Sequence, residues 1–144
     1  MKIKNFTFII FAAAISTIII YGCKKKKEEE KTYTNADYAG TWSTTSQCSS
    51  SMSYQMTVTT SGSSGVVLKN FHANASTNGY TLNATVSDKT ITIPTQTVTN
   101  SQGGNQLTFA GSGTLTPPSS LSISYTAKDP MSSSTISCTA TCTK

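Results

Sequence analysis

Met52, Tyr54, Met56 and Val58 alternate with Ser53, Gln55, Thr57 and Thr59, and the same apolar–polar beat returns later in the chain. Tyr80, Leu82, Ala84 and Val86 carry it, then Leu121, Ile123, Tyr125 and Ala127, then Ile136, Cys138, Ala140 and Cys142. A period of two is the repeat of an extended strand with one buried face and one wet face. Between these runs lie SGSSG (61–65), HANASTNG (72–79), SDKT (87–90), NSQGGNQ (100–106) and TPPSS (116–120), all rich in turn residues. The pattern predicts strands over 40–47, 52–60, 66–71, 80–87, 90–98, 106–115, 120–127 and 135–143, with no helical periodicity beyond residue 36. Eight short strands joined by short links predict an all-β, antiparallel meander, a closed or partly open barrel, because closure removes unpaired sheet edges. A two-sheet sandwich is the competing architecture.

Serine and threonine dominate the chain, and such a composition also occurs in disordered linkers. Threonine, however, is a good strand residue, and the regular placement of the apolar residues argues for one folded domain over residues 37–144. Charge narrows the partners. Of the formal net charge of +5, Lys2, Lys4 and the lysine-rich block before residue 37 carry all but about one unit. The predicted domain holds only Lys69, Lys89, Lys128 and Lys144 as cations, and the chain has no arginine. A nucleic-acid binder needs a basic stripe on its folded surface, so nucleic acid is not an expected partner.

The first 31 residues have a different character. MKIKN is a short basic opening, FTFIIFAAAISTIIIY (6–21) is uncharged, and Gly22-Cys23 follows. A permanent span needs roughly 20 apolar residues, so the run is short for one and has the layout of an export signal over residues 1–22. Ile20-Tyr21-Gly22-Cys23 resembles the lipobox of bacterial lipoproteins. That resemblance implies acylation of Cys23 with diacylglycerol and a fatty chain such as palmitate. It also implies attachment to the cell envelope, at the outer membrane and in some such proteins at the cell surface. The block KKKKEEEK cannot bury apolar surface, so residues 23–36 are expected to form a disordered, charged tether behind the lipidated cysteine.

Tyr38-Ala39-Gly40-Thr41-Trp42 opens the predicted domain much as Gly-x-Trp opens lipocalins and avidin-like barrels. With TITIPTQ (90–96), FAGSGTL (109–115) and a cysteine-bearing last strand, the run is similar to small lipocalin-like domains of bacterial lipoproteins. The resemblance implies a barrel in which Trp42 closes one end.

Cysteine chemistry follows from export. With Cys23 committed to lipid, Cys48, Cys138 and Cys142 face an oxidising compartment, where a disulfide is the default. Cys138 and Cys142 lie on one strand face about 13 Å apart at ~3.3 Å per residue. Disulfides need Cα atoms within about 7 Å, so these two cannot join each other. Cys48–Cys138 with Cys142 free is the preferred pairing, and Cys48–Cys142 the alternative. The same distance rules against a metal site built from Cys138, Cys142 and His72, so no metal or cofactor is expected and His72 reads as a loop residue. The domain offers one histidine, three aspartates and no glutamate, and Gly103-Gly104 and Gly111-Ser112-Gly113 open no helix that could cradle phosphate. The expectation is therefore a monomeric, non-catalytic lipoprotein, a binding or surface-interaction module with a protein, a glycan or a small apolar ligand as its partner. Trp42, Tyr54, Phe71, Tyr80, Phe109 and Tyr125 are the candidate wall or rim contacts. An accessory or inhibitor protein of a cell-envelope enzyme is a further alternative.

Overall fold

The computed structural model describes residues 30–74, 78–132 and 134–144. The expected signal peptide, Cys23 and the lysine–glutamate block up to Glu29 lie outside the described residues. The folded unit runs from Lys31 to Lys144.

A one-turn helix α1 (Asn35–Tyr38) precedes eight strands: β1 (Gly40–Gln47), β2 (Ser51–Ser61), β3 (Gly65–Phe71), β4 (Tyr80–Ser87), β5 (Thr90–Thr99), β6 (Gln106–Thr116), β7 (Ser120–Lys128) and β8 (Thr135–Thr143). Each agrees with the sequence-based span to within one residue at either end, because alternation stops where the chain turns. Every strand pairs antiparallel with its successor, and β1 pairs with β8, so the meander closes into a barrel and the sandwich is excluded. The alternation maps onto burial most regularly in β4, which reads buried–exposed along its whole length; bulges shift it between Leu68 and Phe71 in β3 and between Ile93 and Gln96 in β5, and Ile136, expected to face inward, is exposed near the start of β8.

The interior is occupied by the barrel's own side chains. Trp42, Met56, Leu68, Phe71, Leu82, Ile91, Phe109, Leu121 and Ile123 are all fully buried. Close packing on one side depends on two glycines of β6. A Cβ on Gly111 would meet Ser124 O at 2.5 Å, and one on Gly113 would meet Ser122 O at 2.3 Å. Only glycine lets β6 press against β7 in this way, which is the usual meaning of glycine inside a strand.

Where β5 bends at Pro94, its ladder to β4 covers only Thr85–Ser87 against Thr90–Thr92. The Gln96 side chain replaces a missing rung. Its Oε1 accepts from Asn83 N at 3.0 Å and its Nε2 donates to Asn83 O at 2.7 Å.

The two ends differ. At one end the strands are joined by residues 62–64, 88–89 and 117–119, and α1 packs beside the first two of these turns. Here the expected boundaries need correction: residues 31–36, assigned by sequence to the tether, are tied to the barrel. Tyr33 N donates to Asp88 Oδ1 at 2.9 Å, and Asn35 Nδ2 donates to Gly62 O at 2.9 Å and Gly65 O at 3.1 Å. Specific side chains such as Asn35 outweigh the polar composition of this segment. Trp42 closes this end as expected. Its Nε1 donates to Tyr38 O at 2.8 Å, and Tyr38 Oη in turn donates to Asp88 O at 3.0 Å. Burial, with Asp88 and Asp37 nearby, pushes the Tyr38 phenol up to about 12.

Candidate functional site

The opposite end, the mouth, carries the longer connections 72–79, 100–105 and 129–134 together with the β1–β2 turn 48–50. Beneath these loops the inward positions of β1, β2, β3, β4, β6 and β7 bring one polar and aromatic cluster together. Phe71 meets Tyr125 edge-on with ring centroids 4.7 Å apart, and Tyr80 meets Phe109 at 4.9 Å. His72 sits over this group, 5.6 Å from both Phe109 and Tyr125.

Hydrogen bonds bind the cluster. Tyr125 Oη donates to Ser46 Oγ at 3.2 Å, so its oxygen is the acceptor for a proton on His72 Nδ1, 2.7 Å away. Ser46 Oγ lies 2.9 Å from Tyr54 Oη, and Tyr54 Oη accepts from His72 N at 3.0 Å. The His72 backbone is in the left-handed region, φ 52°, as is Asn70 at φ 60°. Asn70 Oδ1 accepts from Gly79 N at 3.0 Å and its Nδ2 donates to Gln55 O at 2.7 Å, so one side chain ties the β3–β4 loop at two points. His72 is thus more than the loop residue expected from sequence. The β-bulge between Leu68 and Phe71 turns the chain so that its ring drops onto the barrel mouth.

The disulfide lies at the same end. Cys48 and Cys138 are bonded, with Cα atoms 4.4 Å apart, and among the described residues Cys142 is the free, buried cysteine. Register explains the pairing. Gln47 lies opposite Thr139, so one further residue sets Cys48 against Cys138, whereas Cys142 faces Thr44 farther down the barrel. Tyr125, opposite Cys138 on β7, brings its hydroxyl to 3.8 Å from Cys48 Sγ.

The electrostatics of the cluster are those of buried neutral groups. Burial pushes the phenols of Tyr54, Tyr80 and Tyr125 up and lowers the His72 imidazole below its ordinary 6.5. All four stay uncharged near neutral pH and act as neutral donors and acceptors.

Above the cluster two hollows open to solvent. A smaller one of about 150 Å³ is lined by Met52, His72, Asn74, Asn78 and Asn100, and a larger one of about 560 Å³ by Gln106, Asp129, Pro130 and Met131. Tyr80, Asn105 and Leu107 line both, so the two adjoin. Among the described residues Asp129 is the one carboxylate on this lining, and no lysine reaches it. The Oδ1 of Asn100 is buried and has no hydrogen-bond partner among the described residues.

Five of the six aromatic residues singled out by sequence gather at the mouth: Tyr54, Phe71, Tyr80, Phe109 and Tyr125. Trp42 does not, because it plugs the other end. Phe71 and Phe109 are fully buried and pack the floor, leaving Tyr80 as the member that lines the hollows. The asparagines of the mouth, Asn74, Asn78, Asn100 and Asn105, were not foreseen. The clustering of asparagine in turn-rich segments was a visible signal, but only closure of the barrel brings the 72–79 and 100–105 loops side by side, joined by Ser101 N donating to Gly79 O at 3.1 Å.

No family model matches the chain, and no curated protein matches it. Solved structures do. The fold is similar to that of the barrel EF1p2_mFAP2b, solved bound to DFHBI, with 17% identity and a TM-score of 0.58 over 76% of this chain and 94% of that one. It is also similar to the redesigned β-barrel b11L5F_LGL, with 17% identity and a TM-score of 0.55 over 79% of this chain and 98% of that one. At this identity the likeness establishes a closed eight-stranded antiparallel barrel and nothing further.

Proposed function

We propose that the chain is a lipid-anchored, non-catalytic binding module of the cell envelope, whose barrel mouth holds the uncharged end of a glycan. The observation that carries this reading is the lining of the mouth: four asparagine side chains, one with an unanswered buried oxygen, beside the apolar faces of Leu107 and Met131. A primary amide offers two donors and a carbonyl acceptor in one plane, which suits adjacent sugar hydroxyls that both give and accept. The C–H face of a sugar ring suits the apolar side of the hollow. The near absence of charge disfavours phosphate or carboxylate ligands.

Longer loops are where a rigid scaffold usually carries recognition, and here they stand at one end only. The folded unit begins at the other end, where Lys31 bonds Asp37.

The decisive measurement is binding of the full chain to a panel of immobilised neutral oligosaccharides, followed by calorimetry on any hit. Asn105→Ala, which removes an amide shared by both hollows but keeps the backbone acceptor for Asn100 N, is expected to weaken binding at least tenfold without moving the thermal midpoint. Absence of saturable binding across the panel would overturn the glycan reading. For the anchor, Cys23→Ser is expected to abolish acyl labelling and release the protein from membranes, and retention in the membrane fraction would contradict it.

A second reading, a small aromatic ligand, draws on the similar barrel solved with DFHBI. Here Trp42, Phe71 and Phe109 fill the interior, so such a ligand would have to sit in the mouth as well.

A further inference from the structure

A disulfide needs no imidazole, yet Cys48 Sγ, Cys138 Sγ and a ring nitrogen of His72 all lie within 4.8 Å of one another. We propose that these three residues form a redox-gated site for a thiophilic divalent cation of the zinc(II) class, closed in the disulfide and opened by reduction.

Three features support it. The donor set, two thiolates and one imidazole, is one that zinc takes readily in tetrahedral coordination, at ~2.3 Å for sulfur and ~2.1 Å for nitrogen. Two sulfurs on one tetrahedral ion stand about 3.8 Å apart by that geometry. Directly opposed cross-strand positions, with Cβ atoms roughly 4.5–5.5 Å apart in an ordinary antiparallel pair, can reach that separation as well as the bonded one. Cys48 and Cys138 lie one step beyond the last ladder pair, Gln47 and Thr139, with Cα atoms 4.4 Å apart, so reduction asks for side-chain rotation and no rearrangement of the ladder. Finally, the third donor is already oriented. His72 Nδ1 is held 2.7 Å from Tyr125 Oη, and Tyr125 is itself held by Ser46. A metal-binding histidine is commonly fixed by such a partner. Solvent entering through the hollow that His72 lines would complete the coordination.

The chemistry balances. A dithiol attacks the Cys48–Cys138 bond, and two electrons and two protons convert the disulfide to two thiols as the dithiol is oxidised to its own disulfide. Binding of one divalent cation then releases the two thiol protons to solvent. Cys142 takes no part, since it lies down the barrel opposite Thr44 and Leu121.

The test uses the full chain carrying Cys23→Ser and Cys142→Ser, so that the pair supplies the only thiols. The protein is reduced with dithiothreitol, desalted under anaerobic conditions and titrated with cobalt(II), whose thiolate charge-transfer and tetrahedral ligand-field bands report sulfur ligation. Near-ultraviolet circular dichroism follows the barrel in parallel. One equivalent of cobalt, displaced by zinc, is expected in the reduced protein and none in the oxidised protein. His72→Ala is expected to weaken zinc binding at least tenfold against a chromophoric chelator. The proposal is overturned if the reduced protein shows no thiolate band, if His72→Ala binds equally well, or if reduction abolishes the folded signal and the metal does not restore it.

Discussion

Lys144 Nζ stands 4.3 Å above the ring of Trp42, while donating to Asp37 O at 3.0 Å and Ala39 O at 2.8 Å. The last residue of the chain thus fastens the end of β8 to α1 and covers the tryptophan that plugs the barrel. A cation over an aromatic face in a partly exposed setting is worth about 0.5–1 kcal/mol, and each hydrogen bond from a charged donor about as much again or more. Lys144→Ala is expected to lower unfolding stability by about 1.5–3 kcal/mol, read from the urea midpoint, and to red-shift the emission of Trp42. An unchanged midpoint would mean that the backbone alone holds this end.

Cys48 and Cys138 close a loop spanning 90 residues between the first strand and the last. On the chain-entropy account a loop of that length contributes about 4.6 kcal/mol, mainly by restricting the unfolded ensemble. Cys48→Ala/Cys138→Ala is expected to remain a barrel, with native far-ultraviolet circular dichroism at 25 °C, but to unfold at markedly lower denaturant. A loss below about 1 kcal/mol would show that the unfolded chain is already compact.

Cys142 is buried, and burial raises its thiol above the ordinary 9.0, so little thiolate forms near neutral pH. A water-soluble disulfide reagent applied to the non-reduced, lipid-free folded domain is expected to find no reactive thiol in the native state and one after denaturation. Rapid native reaction would require the β1–β8 seam to open.

Burial depresses the His72 imidazole in the folded state below its ordinary 6.5. The unfolded chain then binds a proton that the native state refuses, so stability is greatest above pH 6.5 and declines as pH falls through the folded value. Asp37 acts in a lower window. Its bond to Lys31, then that from Thr34 N, hold its carboxyl at about 2 against an ordinary 3.8, so its contribution persists above pH 4 and fades toward pH 2. Thermal midpoints are expected to fall between pH 7.5 and 5 in the wild type and less in His72→Gln. The drop from about pH 4 to 2 should be reduced in Asp37→Asn. Parallel curves for His72→Gln and wild type would place the imidazole in solvent.

Much of this molecule was legible as a linear pattern. Tyr80, Leu82, Ala84 and Val86 predict an inward face because side chains in a strand alternate by geometry alone, and those residues are buried. Even the disulfide could be narrowed by strand arithmetic, since Cys138 and Cys142 are too far apart to meet.

The site was not legible in the same way. Asn100 and Asn74 are distant in sequence, and nothing local marks them as lining one hollow. Gln96 bridging the bend to Asn83, and Asn35 reaching Gly62, likewise depend on where other strands lie.

The period-two pattern, the turn residues and the cysteine spacing determined an antiparallel sheet, its strand ends and the exclusion of a Cys138–Cys142 bridge, because each depends on a few consecutive residues and fixed backbone dimensions. Pairing of β1 with β8 decided the rest. It set one end shut over Trp42 and gathered His72, Tyr125 and the asparagines at the other, because residues far apart in sequence become neighbours only when the sheet closes and fixes their register.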